Sequence, residues 1–195
     1  MIRSSWVTAL LASTVLLPMG LEAQHVPTRA GFWWGLGVGY GSWRFSADSA
    51  ARRSGDGGMG QGYLVAGYTL DPHWTIGIEA ARGTITGTTG AVSGWSVIGT
   101  WYPWRARGWF LRAGLGTSSY SEPSGAEAPR YRGSGTGFVT AIGVDLGTNA
   151  GISLTPMLGY RYGSVGTVGL GFPGLDLARG FRQHAIGLTL GLTIP

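Results

Sequence analysis

The side chains in this sequence that could move a proton, bind a metal or hold an anion are three histidines, nine carboxylates and fourteen basic residues, every one of them arginine. His25, His73 and His184 stand far apart, and no two histidines or carboxylates fall at ligand spacing on one face, so the pattern predicts no metal centre. A nucleophilic hydrolase needs a base beside its nucleophile and a third group to orient that base. The chain has no cysteine, which removes the thiolate nucleophile along with disulfides, thiolate metal sites and lipid attachment. No histidine is set against a serine in a way that would activate it. The expectation is a protein without catalysis and without a cofactor.

Phosphate binding by a glycine-rich loop is a second possible chemistry, raised by the stretch from Gly31 to Phe45, GFWWGLGVGYGSWRF. The dinucleotide fingerprint requires G-x-G-x-x-G between a strand and a helix. Counted from Gly35 and Gly37, the third glycine falls on Tyr40, and no helical apolar stripe follows. What the stretch does contain is alternation with a period of two: Phe32, Trp34, Leu36, Val38 and Tyr40 on one parity, Gly35, Gly37, Gly39 and Gly41 on the other. That is a β-strand with one large apolar face and one bare face.

The elements that must carry any site are therefore strands. The same two-residue period gives seven further runs, at Met59–Leu70, Trp74–Ile85, Val92–Tyr102, Trp109–Tyr120, Gly135–Leu146, Ile152–Gly163 and Phe181–Ile194. In Val92–Tyr102 the register stays open, because Trp95, Val97 and Trp101 compete with Ile98 and Tyr102 for the apolar face. Connections alternate in length. Asp71–His73, Pro103–Gly108 and Gly147–Ala150 are short, whereas Phe45–Gly58, Ser121–Ser134 and Ser164–Gly180 are long and Thr86–Ala91 is intermediate. Tight turns at one end and long loops at the other are the arrangement of an outer-membrane barrel, and runs of this length cross an apolar band when tilted. Backbone groups in lipid have no water to satisfy them, so the sheet must close.

Composition and the first residues agree. Charged residues make up 12% of the chain, aromatics another 12%, and glycine supplies 37 positions, too little charge to clothe an ordinary soluble domain. Arg3 followed by the apolar run Trp6–Leu17 and the segment Leu21-Glu22-Ala23 reads as a cleavable secretory leader over 1–23, too short for a membrane helix. A short periplasmic segment at 24–30 then precedes the barrel at 31–195. Removing 1–23 takes away Arg3 and Glu22 together, so the mature chain keeps its net charge of +5. A soluble ligand-binding barrel would need the opposite faces, large apolar residues inside and polar ones outside.

On these runs and connections the chain resembles the small eight-stranded outer-membrane barrels of the OmpA and OmpX kind, which implies an all-β, eight-stranded antiparallel up-and-down transmembrane barrel in the cell outer membrane. The resemblance implies contact with outer-membrane lipid, recognition by the barrel-assembly machinery during insertion, and a monomer. Two departures stand out: the chain ends Thr193-Ile194-Pro195 where such barrels usually end on an aromatic, and Pro156 sits inside a run, where a bulge or an interrupted hydrogen bond is expected. Small barrels of this kind include lipid A-modifying enzymes, whose deacylases carry a His-x-Ser pair. Here Gln183-His184-Ala185-Ile186 places Ile186 where the serine would stand, so no catalytic residue carries over, and His184 reads as an interfacial side chain near the outer rim.

Four charges fall on the inward parity: Glu79, Arg112, Asp145 and Arg161. Buried unpaired charge is costly and pairing is its usual remedy, so these predict a charge network that plugs the lumen, with Arg112 and Asp145 close enough in height to pair; a narrow channel lined by the same residues is the alternative. Aromatics near run ends, among them Trp33, Trp43, Trp74, Trp101, Tyr102, Trp104, Trp109, Tyr120, Tyr162 and Phe181, predict interfacial girdles. Arg44 at the rim, Arg52 and Arg53 in the first long loop, Arg130 and Arg132 in the third, and Arg179 and Arg182 at the fourth present planar forks that suit phosphate. Lipopolysaccharide or another surface partner is the expected contact, a solvated loop surface the plain alternative. The leader and the scattered placement of the arginines argue against nucleic acid. The function read from the sequence is structural or surface-interacting, of the adhesion or envelope-integrity type.

Overall fold

The structure, a computed structural model, describes residues 31–50, 54–104, 107–123, 130–147, 151–169 and 176–194. The expected leader at 1–23, the segment 24–30, and Arg52 and Arg53 lie outside the described residues.

Eight long strands follow one another in chain order: β1 (Gly31–Ser46), β2 (Ser54–Thr69), β3 (Trp74–Ile85), β4 (Ala91–Trp104), β5 (Trp109–Pro123), β6 (Arg130–Val144), β7 (Ser153–Gly169) and β8 (Asp176–Ile194). Each is antiparallel to its predecessor, and β8 returns to pair with β1 from Trp34 opposite Ile194 to Ser46 opposite Arg182. The sheet closes into a barrel and leaves no edge. Two-residue pieces extend the ladders beyond the strands: Ser49–Ala50 against β8 at the long-loop end, and Leu146–Gly147 against β7 at the short-turn end.

The strands are longer than their apolar runs. β2 starts at Ser54, β5 runs to Pro123, β6 starts at Arg130, β7 runs to Gly169 and β8 starts at Asp176, so much of each expected long loop is a continuation of the barrel. The antiparallel ladder gains a hydrogen-bonded pair with every second added row, and nothing in a closed ring stops it where the apolar face ends. Between β7 and β8 this extension is irregular, with register shifts around Ala178 and Phe181. Gly166 and Gly180 take φ of +74° and +62° there, values L side chains rarely adopt.

The open register resolves cleanly. Trp95, Val97 and Trp101 are exposed on the outside of β4, while Ser96, Ile98, Thr100 and Tyr102 are buried inside. Trp101 stacks on Trp74 across the β3–β4 pair, ring centroids 6.2 Å apart. At Pro156, the β6–β7 ladder stops at Gly143 opposite Met157 and resumes with Leu146 opposite Leu154, while Leu190 stays paired to Pro156 on the other side. The missing donor thus interrupts the ladder on one side only, and the N–H of Asp145 turns away to the carbonyl of Gly108, 2.9 Å distant.

The bare face of β1 points inward, where large rings lie on it. A Cβ on Gly37 would overlap the ring of Tyr63, and one on Gly67 would overlap Trp33. Glycine here makes room for an aromatic from a neighbouring strand, a packing known to stabilise sheet glycines. The girdle expectation needs correction at this point: Trp33, Trp43, Tyr102, Tyr120 and Phe181 face inward and are buried. They stand on the inward parity, and their size fills a lumen only just wide enough for side chains. Trp74, Trp101, Trp104 and Trp109 remain outside, at the short-turn end.

Candidate functional site

The lumen is built in layers. Toward the short turns, Trp33, Tyr63, Val65, Ile98, Tyr102, Phe110, Val139 and Met157 form one apolar cluster. Toward the long loops, Trp43, Met59, Ile85, Tyr120, Val165, Val168 and Phe181 form a second, with Phe45 packed against it. The outer cluster is held by ring stacking: Trp43 on Tyr120 at 6.1 Å, Phe45 on Phe181 at 5.2 Å, and Tyr120 tilted against Phe181 at 5.0 Å.

The predicted charges sit against the first cluster, with Val65 opposite Glu79 and Val139 opposite Arg161. Glu79 of β3, 1% exposed, is shared by two arginines: Arg112 Nη1 of β5 donates to Oε2 at 2.9 Å, and Arg161 Nη2 of β7 donates to Oε1. All three project inward from alternate strands, so they meet across the lumen. Arg112 also donates through Nε to Thr100 Oγ1 at 3.3 Å and lies over the Phe110 ring at 5.4 Å. The expected Arg112–Asp145 pair gives way to this arrangement. Asp145 accepts instead from the hydroxyls of Tyr102 at 2.8 Å and Thr155 at 2.6 Å. The register puts Arg112 opposite Ala141, four rows from Asp145, which stands beside Gly108 at the short turn, while Glu79 presents both carboxylate oxygens to the lumen centre, where the longer arginine side chains reach it.

A polar tier separates this network from the outer cluster. Trp43 Nε1 donates to Gln183 Oε1 at 3.3 Å, and Gln183 Nε2 donates to Ser118 Oγ at 2.7 Å. Among the described residues the lumen holds cavities of about 20 and about 50 Å³, and Gln61, Ala81, Arg161 and Ala185 line both. Each has room for water and no more than a few molecules. Sequence reasoning missed Tyr63, Tyr102, Thr155, Ser118 and Gln183 as lumen partners, although each lies on the inward parity of its own run. Among the described residues no three histidine or carboxylate side chains come together as a metal would require.

On the outside, Arg44, Arg132, Arg179 and Arg182 are exposed, as is Arg82 of β3, which the sequence reading passed over. The backbone of Arg130 begins β6 and its side chain lies outside the described residues. Arg182 Nη2 lies 3.5 Å from Asp48 Oδ2, both well exposed. His184 sits half-buried on the outer face, its Nδ1 2.8 Å from the Tyr160 hydroxyl. Below these, every strand adds exposed large apolar side chains to one belt, among them Leu36, Leu64, Ile78, Val97, Leu115, Ile142, Leu158 and Leu190. Soluble monomers do not expose an apolar surface that runs right round the molecule; this one is covered by lipid. A closed barrel wrapped in such a belt is an integral membrane protein.

The chain has the fold of the small eight-stranded outer-membrane barrels. Among solved structures it is similar to Neisserial surface protein A, NspA, with a TM-score of 0.59 and 15% identity over 85% of this chain and 97% of that one. The outer-membrane protein AlkL, solved in DMPC bilayers, gives a TM-score of 0.55 at 10% identity over 88% and 93% of the two chains. The attachment invasion locus protein Ail of Yersinia pestis, in complex with the heparin analogue sucrose octasulfate, gives 0.51 at 13% identity over 84% and 99%. No protein-family model and no curated protein sequence matches the chain.

Proposed function

We propose that this outer-membrane barrel is of structural or surface-interaction type, acts as a monomer without catalysis, and carries its long-loop end outside the cell and both ends of the described chain on the periplasmic side. The observation that carries this reading is the content of the lumen. A buried carboxylate shared by two arginines is packed among clusters of large side chains, and the cavities beside it have room for only a few waters. Removing a partner from such a network strands buried charge, so the network serves as a strut more readily than as a conduction path. The case against catalysis is supported at His184, whose Nδ1 is taken up by Tyr160 and whose neighbour two residues on is Ile186.

The partner side of the reading falls to the exposed arginines of the outer extension, Arg44, Arg132, Arg179 and Arg182, with Arg52, Arg53 and Arg130 nearby in sequence. Guanidinium forks suit phosphate and sulfate, and the sulfated ligand held by the Yersinia protein is of that chemistry. Insertion would pass through the barrel-assembly machinery. The test is a pair of measurements on one refolded sample: migration on a gel before and after boiling, then conductance across a planar bilayer. A band that shifts on boiling with no single-channel steps is the expected result. Steady conductance that changes in Arg112→Ala would replace the plugged barrel with the narrow channel.

A further inference from the structure

One side of the barrel orders its outward side chains as an outer-leaflet lipid orders its parts. From the long-loop end down, the outward positions of β8 are Arg182, His184, Ile186, Leu188, Leu190 and Leu192. β1, antiparallel beside it, gives Arg44, Ser42, Tyr40, Val38 and Leu36 over the same descent. Arg44 is directly opposite His184, and Arg182 is opposite Ser46. The two arginines are therefore diagonal neighbours, with Cα atoms about 7–8 Å apart, and two side chains of that length can converge on one phosphate.

Beneath the cations comes an aromatic step. Tyr162 meets the His184 ring edge-on at 5.1 Å, and the Tyr160 hydroxyl engages Nδ1 at 2.8 Å; Nε2 is the other polar atom of the imidazole. Beneath the aromatics, Ile186 and Leu190 are about half exposed at 49% and 50%. The acids nearby do not saturate the arginines. Asp48 reaches Arg182 at 3.5 Å in an exposed pair, of the kind worth about 0–1 kcal/mol, and Asp56 stands opposite Arg44 on β2, on the side away from β8. Two other exposed arginines, Arg132 and Arg82, lack this order. Arg132 is separated from Phe138 by Ser134 and Thr136, and Arg82 stands as a single guanidinium between Gly62 and Ser93.

We propose that the β1–β8 seam, with Tyr160 and Tyr162 of β7, seats a phosphorylated lipid of the outer leaflet. The phosphate lies between Arg44 and Arg182, the headgroup sugar against His184 and Tyr162, and an acyl chain along Ile186, Leu188 and Leu190. The seat rests on the outer-membrane orientation proposed above and gives the anionic partner a chemical identity. A soluble polyanion would use the arginines but has no use for the aliphatic run continuous with them; a phosphorylated glycolipid uses both.

The test is lipid retention by the refolded barrel in detergent, read by native mass spectrometry. The probes are the lipid moiety of lipopolysaccharide with its phosphates intact, the same lipid after enzymatic removal of phosphate, and soluble sucrose octasulfate. Each variant is first shown to shift on boiling, so loss of fold is separated from loss of binding. The Arg44→Gln, Arg182→Gln double variant is expected to retain about tenfold less phosphorylated lipid, His184→Ala to lose less, Asp48→Asn to retain more, and Arg132→Gln to match the wild type. Equal retention by the double variant, equal retention of the dephosphorylated lipid, or binding of the soluble anion as tight as that of the lipid overturns the seat alone. A wild-type chain that fails to enter bilayers overturns the membrane orientation and the seat with it.

Discussion

The half of the barrel nearer the short turns and the half nearer the long loops are made by the same strands, yet their outward faces differ. In the first half β8 turns Ile186, Leu188 and Leu190 outward and Thr189 and Thr193 inward, and β3 turns Ile76 and Ile78 outward and Thr75 and Glu79 inward. In the second half β5 turns Thr117 and Ser119 outward and Tyr120 inward, while β8 turns Arg182 outward and Phe181 inward. Period two makes the strand in both places. The character of the outward parity reports the medium outside, hydrocarbon in one half and water in the other. The crossover on β5, between Leu115 at 74% exposure and Ser119, marks where the bilayer ends.

The comparison can be broken from its most sensitive point. In the first half the centre is charged, so Glu79→Ala, which strands Arg112 and Arg161, is expected to cost about 3–5 kcal/mol; in the second it is aromatic, so Phe181→Ala should cost a similar amount through a cavity. Both are read from the urea midpoint of the folded gel band. Replacing the whole network, Glu79→Leu with Arg112→Met and Arg161→Met, should return most of the loss. If it does not, the charges are required for more than mutual compensation.

On the outer faces the contrast sharpens. Leu190→Arg puts a charge in the belt and should cost about 2–4 kcal/mol, whereas Thr136→Arg on the watered extension should stay within about 0.5 kcal/mol. Equal costs would mean that the extension is also embedded. Gly37→Ala pushes into the Tyr63 ring and should lower stability by about 1–3 kcal/mol, checked by the same titration. Asp48→Ala removes one exposed ion pair and should change stability by less than about 1 kcal/mol.

Much of this was legible in the sequence because lipid imposes a simple code. Belt residues such as Phe32, Leu36 and Leu192 stand at every second position, and one polar residue among them would be conspicuous. The inward faces of Glu79, Arg112, Asp145 and Arg161 follow from the same parity. Two things were hidden. The extension was read as loops because its outward residues are Gly, Ser, Thr and Arg, the composition of loops, while its inward residues, Val165, Val168 and Ala178, are too small and widely spaced to announce a core. The partner of Arg112 was missed because parity gives the side of a wall and says nothing of which walls face each other across a lumen. Glu79 and Arg112 lie on strands with a third between them, and their meeting depends on the barrel's width and tilt, which no single strand encodes.

The thirteen-pair seam between β1 and β8 also bears on how the molecule comes into being. Every other pair of long strands joins segments adjacent in the chain, but this one joins Trp34 to Ile194, so the ring cannot shut until β8 has been made. Until then β1 has a raw edge, the kind that recruits other chains, and the closure entropy of the entire length must be met before the last row of hydrogen bonds repays it. A truncation before β8 would therefore yield an adhesive open sheet in place of a smaller barrel, and the growing chain needs an escort for its first strand from emergence to final zippering.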